Sequence, residues 1–170
     1  WVNPVENSPG LSPSEWLNGI TDFTVASDGS VWVKSSTQIL YSPDGSDASF
    51  VSMAGRGLPQ NNARSRIAVA PSNPDYVYVV HIDGSDELSS VYRTTDRGQT
   101  WTLMIQGSNS FNPFNDQGDY DLLLGVDPSD PERFLMGGVD LWSWSASEGW
   151  QARGSRFDSP NNPFYVHADN

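Results

Sequence analysis

Apolar and polar residues alternate in short runs along most of this chain, and turn-forming residues separate the runs. A period of two predicts half-buried β-strands rather than helices. In the middle of the chain the predicted strands are Ser65–Ala70, Tyr76–Ile82, Ser89–Thr94 and Thr100–Ile105. The stretch "YVYVVHI" is β-branched and aromatic, as suits a buried strand more readily than a short helix, and His81 reads as a satisfied strand-end residue. An earlier group comprises Asp22–Ala26, Ser30–Ser35, Gln38–Ser42 and Ser49–Met53; a later one Tyr120–Val126, Arg133–Gly138, Asp140–Ser145 and Gly149–Arg153. Pro and Gly fall between the runs, where a missing donor or a positive φ is tolerated. Only Ser12–Leu17 reads as helical, with Ser12 as cap, Pro13 at the first position and Glu15 at the third.

The groups are copies of one unit. "VAPSNPDYVYVV" (Val69–Val80) and "VDPSDPERFLMG" (Val126–Gly137) share V-x-P-S-[ND]-P-[DE], and "VASDGSVWVK" (Val25–Lys34) keeps the apolar lead with a shorter loop. An aromatic residue closes each copy, at Phe50, Trp101 and Trp150. A repeat of about 50 residues built from four short strands is in the range of propeller blades. The expected fold is all-β: a β-propeller segment of about three four-stranded antiparallel blades, part of a larger propeller, because rings usually close with about 4–8 blades. The expected divisions are 1–20, a connector or the tail of a preceding blade; 21–57, the first blade; 64–107, the second; 108–119, an acidic and aromatic insertion; 120–154, the third; and 155–170, the start of a further blade. The remaining blades are then expected partners, on the same chain in preference to another.

Composition narrows the function. The chain has 170 residues, 36% of them hydrophobic, with 7 Trp, 7 Phe and 6 Tyr, so it can bury a core. Its 21 acidic residues against 9 basic ones give a net charge of −12. Nucleic acid and anionic membrane are therefore repelled, and the charge fits a soluble extracellular protein or one that carries cations. Cysteine is absent, which removes disulfides and thiolate metal sites. No apolar run reaches about 18 residues, so no helical membrane insertion is expected. The start at Trp1 without Met, and the end inside the strand-like "YVHADN", suggest a segment of a longer protein.

"TTDRGQTW" (Thr94–Trp101) fits S/T-x-D-x-G-x-T-W at Thr94, Asp96, Gly98, Thr100 and Trp101, and it falls at the predicted third-to-fourth strand hairpin. Asp96 can accept hydrogen bonds from its own turn, Gly98 can take a positive φ, and Trp101 can plug the space between sheets. The segment resembles the Asp-box, or BNR repeat, of propellers such as sialidases, sortilins and xyloglucanases. Partial versions are "SPDGSDASF", which keeps Ser42, Asp44 and Phe50, and "SASEGW", which keeps Ser145, Gly149 and Trp150. Both a structural turn and a ligand site are open for Thr94–Trp101, and the residue chemistry favours the turn. Further on, Tyr120-Asp121-Leu122, Val126-Asp127-Pro128, Gly137-Gly138, Asp140-Leu141-Trp142 and Val166-His167-Ala168-Asp169 resemble a recurrent segment of large secreted Asp-box proteins of the Bacteroidetes type, many with a C-terminal sorting domain. The resemblance spans roughly residues 20–170. It implies a β-propeller at an extracellular or cell-surface location and implies little about activity.

Glycoside hydrolysis heads the enzymatic readings because Asp-box propellers include sialidases and xyloglucanases. A sialidase needs an arginine cluster and a Tyr nucleophile. Arg66, in "SRIA" (Ser65–Ala68), and the nearby Arg64 are the arginine and ligand-binding candidates, although Ala68 stands where that signature has Pro. For a two-carboxylate hydrolase the catalytic candidates are Asp22, Asp121 and Asp169, at or near first strands that line the central channel; solvated channel carboxylates are the plainer reading. His167 and Asp169, two apart on one strand face, are metal candidates, or His167 hydrogen-bonds a neighbouring strand. "FNPFNDQGDYD" concentrates Asp116, Asp119 and Asp121, oxygen ligands that can hold Ca²⁺ but lack the distal Glu of an EF-hand; a solvated acidic loop is the other reading. Phe111 and Phe114 either anchor a protein or glycan ligand or pin the loop. The leading expectation is a non-catalytic interaction or adhesive module that binds protein or carbohydrate. The alternatives are part of a glycoside hydrolase whose active site is completed by blades absent from this chain, and a structural repeat in a surface assembly.

Overall fold

The computed structural model describes residues 19–46, 48–59, 64–158, 161–163 and 165. Its strands are β1 (Ile20–Val25), β2 (Val31–Ser35), β3 (Ile39–Ser42), β4 (Val51–Ser52), β5 (Arg64–Val69), β6 (Val77–Ile82), β7 (Leu88–Thr94), β8 (Thr102–Gln106), β9 (Leu123–Val126), β10 (Arg133–Gly137), β11 (Leu141–Ser145) and β12 (Gly149–Gly154). They form three four-stranded antiparallel meanders in sequence order, β1–β4, β5–β8 and β9–β12. The first strand of each sheet packs beside that of the next, β1 on β5 and β5 on β9, which places these strands innermost. This is the all-β propeller segment of three blades that the repeat predicts. The helix expected over Ser12–Leu17 lies outside the described residues, and no described helix is long and apolar enough to cross a membrane.

The strand pattern follows from the stacking. Every residue of β6 is buried because blade 2 has a neighbour on each side. Its odd positions, Val77 and Val79, join Trp32, Ile39 and Met53 of blade 1. Its even positions, Tyr78, Val80 and Ile82, join Phe134 and Met136 of blade 3. A period-2 strand between two apolar partners reads as a continuous hydrophobic run. Blade 1 differs on its far side. Phe23 and Val25 are 65% and 59% exposed, whereas Ile67 and Val69, at the same register positions of blade 2, are 5% and 8% exposed.

Most strand boundaries shift by one or two residues from the sequence reading, and three of the shifts are explained by local structure. β9 begins at Leu123, not Tyr120, because the amides of Tyr120 and Asp121 turn back to the Gln117 carbonyl. β4 shrinks to two residues after a turn closed by Ser42 and Ser49. β12 runs on to Gly154, which pairs with Leu141 past a bulge.

Candidate functional site

The blades present two ends. One carries the β1–β2, β5–β6 and β7–β8 turns; the other carries the β6–β7 and β10–β11 turns and the connection from β8 to β9.

At the first end, Thr94–Trp101 spends its polar groups on itself. Asp96 Oδ1 accepts from Thr94 Oγ1 at 2.7 Å and from the Thr100 amide at 2.9 Å, and Oδ2 accepts from Thr100 Oγ1 at 2.6 Å. Partial burial works against the charged carboxylate, but the Thr100 and Thr94 hydrogen bonds outweigh it and hold Asp96 below the usual aspartate value. Gly98 takes φ +76°, and a Cβ there would lie 2.8 Å from Trp32. Trp101 meets Trp32 edge-on, with ring centroids 6.1 Å apart. Arg97 reaches Asp75 at 2.6 Å on its own blade and Asp28 at 2.8 Å on blade 1. The turn clamps two blades and leaves Asp96 little capacity for a ligand.

The innermost strands are clamped in a similar way. Asp22 of β1 accepts from Arg66 at 3.0 Å and from the Ile67 amide at 2.9 Å, while Arg66 Nε donates to the Leu122 carbonyl at 3.1 Å. One guanidinium thus ties all three blades together. Asp22 and Arg66 are engaged with each other and with the backbone of the neighbouring blades. Asp121 sits in the turn before β9, and its Oδ2 is buried with no hydrogen-bond partner among the described residues. Arg66→Lys is expected to lose about 1–2 kcal/mol, since an ammonium cannot span both acceptors in one plane. Urea midpoints of the two proteins check this, and equal midpoints would contradict it.

Arg64 lines a different space, a cavity of about 400 Å³ at the second end, with Thr21, Asp86 and Asp119. Asp116 and Asp119 are exposed on the insertion, and Asp116 is held by Asn115 Nδ2 at 2.7 Å. Among the described residues no group of three or more His, Cys, Asp or Glu side chains is placed to hold a metal ion. His167 and Asp169 lie outside the described residues.

The insertion itself is firmly tied. The Gly107 amide donates to the Ser89 carbonyl at 2.9 Å, Gly118 to Asp86 at 2.8 Å, and Asp140 to Pro113 at 2.9 Å. The Leu88 amide donates to Asn112 Oδ1 at 3.0 Å. A Cβ on Gly107 would lie 1.6 Å from the Leu88 carbonyl oxygen, so only glycine admits the loop this close. Phe114 has no exposed surface; it plugs the core between blades 2 and 3 and does not present a ring to a ligand. Phe111 is half-buried, braced by Trp142 at 4.8 Å and Trp150 at 5.1 Å. Its outer edge opens into a cavity of about 460 Å³ that Trp142, Phe157, Arg156, Asn109 and Glu87 also line.

Sequence reasoning missed most of that cavity, because Trp142 and Phe157 belong to another blade and to the tail after it. It also missed the wedge between blades 1 and 2. There Lys34 and His81 are buried around a void of about 10 Å³, with Ser65 Oγ 2.7 Å from His81 Nδ1. Burial pulls Lys34 down to about 8, and burial together with the Lys34 charge pulls His81 down to about 3.

No protein-family model matches the chain, and no curated protein matches it. Solved structures do. YCF48 from Cyanidioschyzon merolae is similar at 15% identity and a TM-score of 0.54, over 79% of this chain and 37% of that one. A GH74 xyloglucanase from Xanthomonas campestris is similar at 17% identity and a TM-score of 0.46, over 82% of this chain and 20% of that one. An ancestral GH74 enzyme is similar at 13% identity and a TM-score of 0.48, over 79% of this chain and 20% of that one. The chain thus spans well under half the length of each, and at such identity the likeness to YCF48 shows the fold alone.

Proposed function

We propose that this chain is a non-catalytic interaction module of a secreted or cell-surface protein, forming part of a larger propeller and binding protein or carbohydrate at the end that carries the insertion. The preformed cavity beside Phe111 carries the reading: loop ordering, normally a cost of binding, is already met by the ties at Gly107, Gly118 and Asp140. The commitment of Asp22 and Arg66 to joining blades supports a binding role over catalysis. The net charge of −12 and the resemblance to secreted Asp-box proteins support the location. The self-contained bonding of Thr94, Asp96 and Thr100 supports Asp-box character as an element of the fold. The exposed Phe23 and Val25 support a further blade beside blade 1, since their counterparts in blade 2 are covered in that manner.

The test pairs retention on a panel of polysaccharides and surface proteins with an assay for new reducing ends. The module is expected to be retained on a ligand without releasing any. Reducing ends released by the chain, and lost in Asp22→Asn or Asp121→Asn, would make it an enzyme. Retention on nothing in the panel would also count against the proposal.

A further inference from the structure

We propose that the cavity between the insertion and blade 3 is a subsite for a neutral pyranose unit of a polysaccharide, an inference that rests on the interaction-module reading. Its volume of about 460 Å³ lies in the range of small-ligand sites. Phe111, Trp142 and Phe157 line it, and Phe157 is 80% exposed. A pyranose presents C–H groups on its faces, which suit the negative face of an aromatic ring, and hydroxyls around its rim.

The polar rim matches those hydroxyls. The Asn109 amide, the Glu87 carboxylate and the Arg156 guanidinium line the cavity, and none makes a side-chain hydrogen bond or ion pair among the described residues. Arg156 lies over the Phe157 ring at 4.5 Å, which leaves its N–H edge for a ligand. Together these groups supply donors and acceptors, as an array of hydroxyls requires. By contrast, the amides of Asn112 and Asn115 are used within the loop, and they shape the site without reading the ligand.

Two observations choose the ligand class. An extended peptide needs unpaired backbone groups to ladder onto, and here the backbone is occupied by the Ser108–Phe111 bridge and by the ties at Gly118 and Asp140. An acidic saccharide would meet Glu87 and Asp140 against one arginine, on a chain of net charge −12.

The probes are cellohexaose, mannohexaose and xylohexaose, with polygalacturonate as the acidic comparison, titrated into the chain by calorimetry. At least one neutral hexasaccharide is expected to bind. Phe157→Ala is expected to weaken it about tenfold, and Arg156→Ala several-fold, with melting temperatures unchanged. Binding of polygalacturonate alone would overturn the inference, as would binding that neither substitution weakens, or no saccharide binding. If no saccharide binds but a surface protein is retained, the inference falls and the interaction-module reading stands.

Discussion

Phe114→Ala is expected to destabilise the chain by about 3–5 kcal/mol, the usual range for removing a fully buried phenylalanine from a core. For a chain of this size that is a fall in melting temperature of roughly 6–20 °C. The effect has two parts. The ring occupies the cluster of Tyr78, Ile82, Leu88, Leu122, Phe134 and Met136. It is also the apolar anchor of the insertion, so the cavity beside Phe111 should lose its shape along with the stability. Phe157→Ala makes the contrast: that ring is 80% exposed, and its loss should change stability by less than about 0.5 kcal/mol. Differential scanning calorimetry of both variants decides the matter. A Phe114→Ala protein that melts like the parent would mean that the loop is held by something other than this plug.

The second large effect is a loss of stability in mild acid that belongs to His81. The unfolded side chain takes up a proton near 6.5, while the folded one resists until about 3 because it is buried beside Lys34. Between those values the unfolded state binds more protons, so stability falls as pH falls; above 6.5 the contribution is fully present. At about 1.4 kcal/mol per pH unit, the loss reaches roughly 5 kcal/mol by pH 3. His81→Gln should be the less stable protein at pH 7, where it packs and pairs with Ser65 less well. Its stability should fall less steeply below pH 6.5, and the two curves should converge or cross. Urea unfolding of both proteins at pH 7, 5 and 4 measures the difference, in which the carboxylates common to both largely cancel. Parallel pH curves would show that His81 is reached by protons in the folded state. Lys34 acts at the other end: burial lowers its value from 10.5 to about 8, so its penalty is present below pH 8 and lifts as pH rises toward 10.5.

The fold was largely legible because stacking imposes a pattern that one sequence can display. The run Val77–Ile82 read as a buried strand more readily than as a short helix, because it is β-branched and aromatic, and the repeat placed such strands one blade apart. The Thr94–Trp101 turn was legible because its bonds are local, within a few residues of Asp96. The rest is a matter of distance along the chain. Asp22 read as a channel carboxylate because nothing near it in sequence announces Arg66 as its partner. Phe111 and Phe114 looked alike in "FNPFNDQGDYD", yet one opens on a cavity and the other is sealed in a core, and that difference depends on where blade 3 lies. Lys34 showed alternation with its neighbours and no sign of burial, since its burial comes from the blade opposite.

Amide hydrogen exchange of the unliganded chain tests the central claim most directly, because the claim is that the insertion holds a ready-made site. The Gly107, Gly118 and Asp140 amides, which donate to Ser89, Asp86 and Pro113, are expected to exchange as slowly as those of β6 and β7. Exchange of these amides at the rate of an open loop, while the strands stay protected, would contradict it.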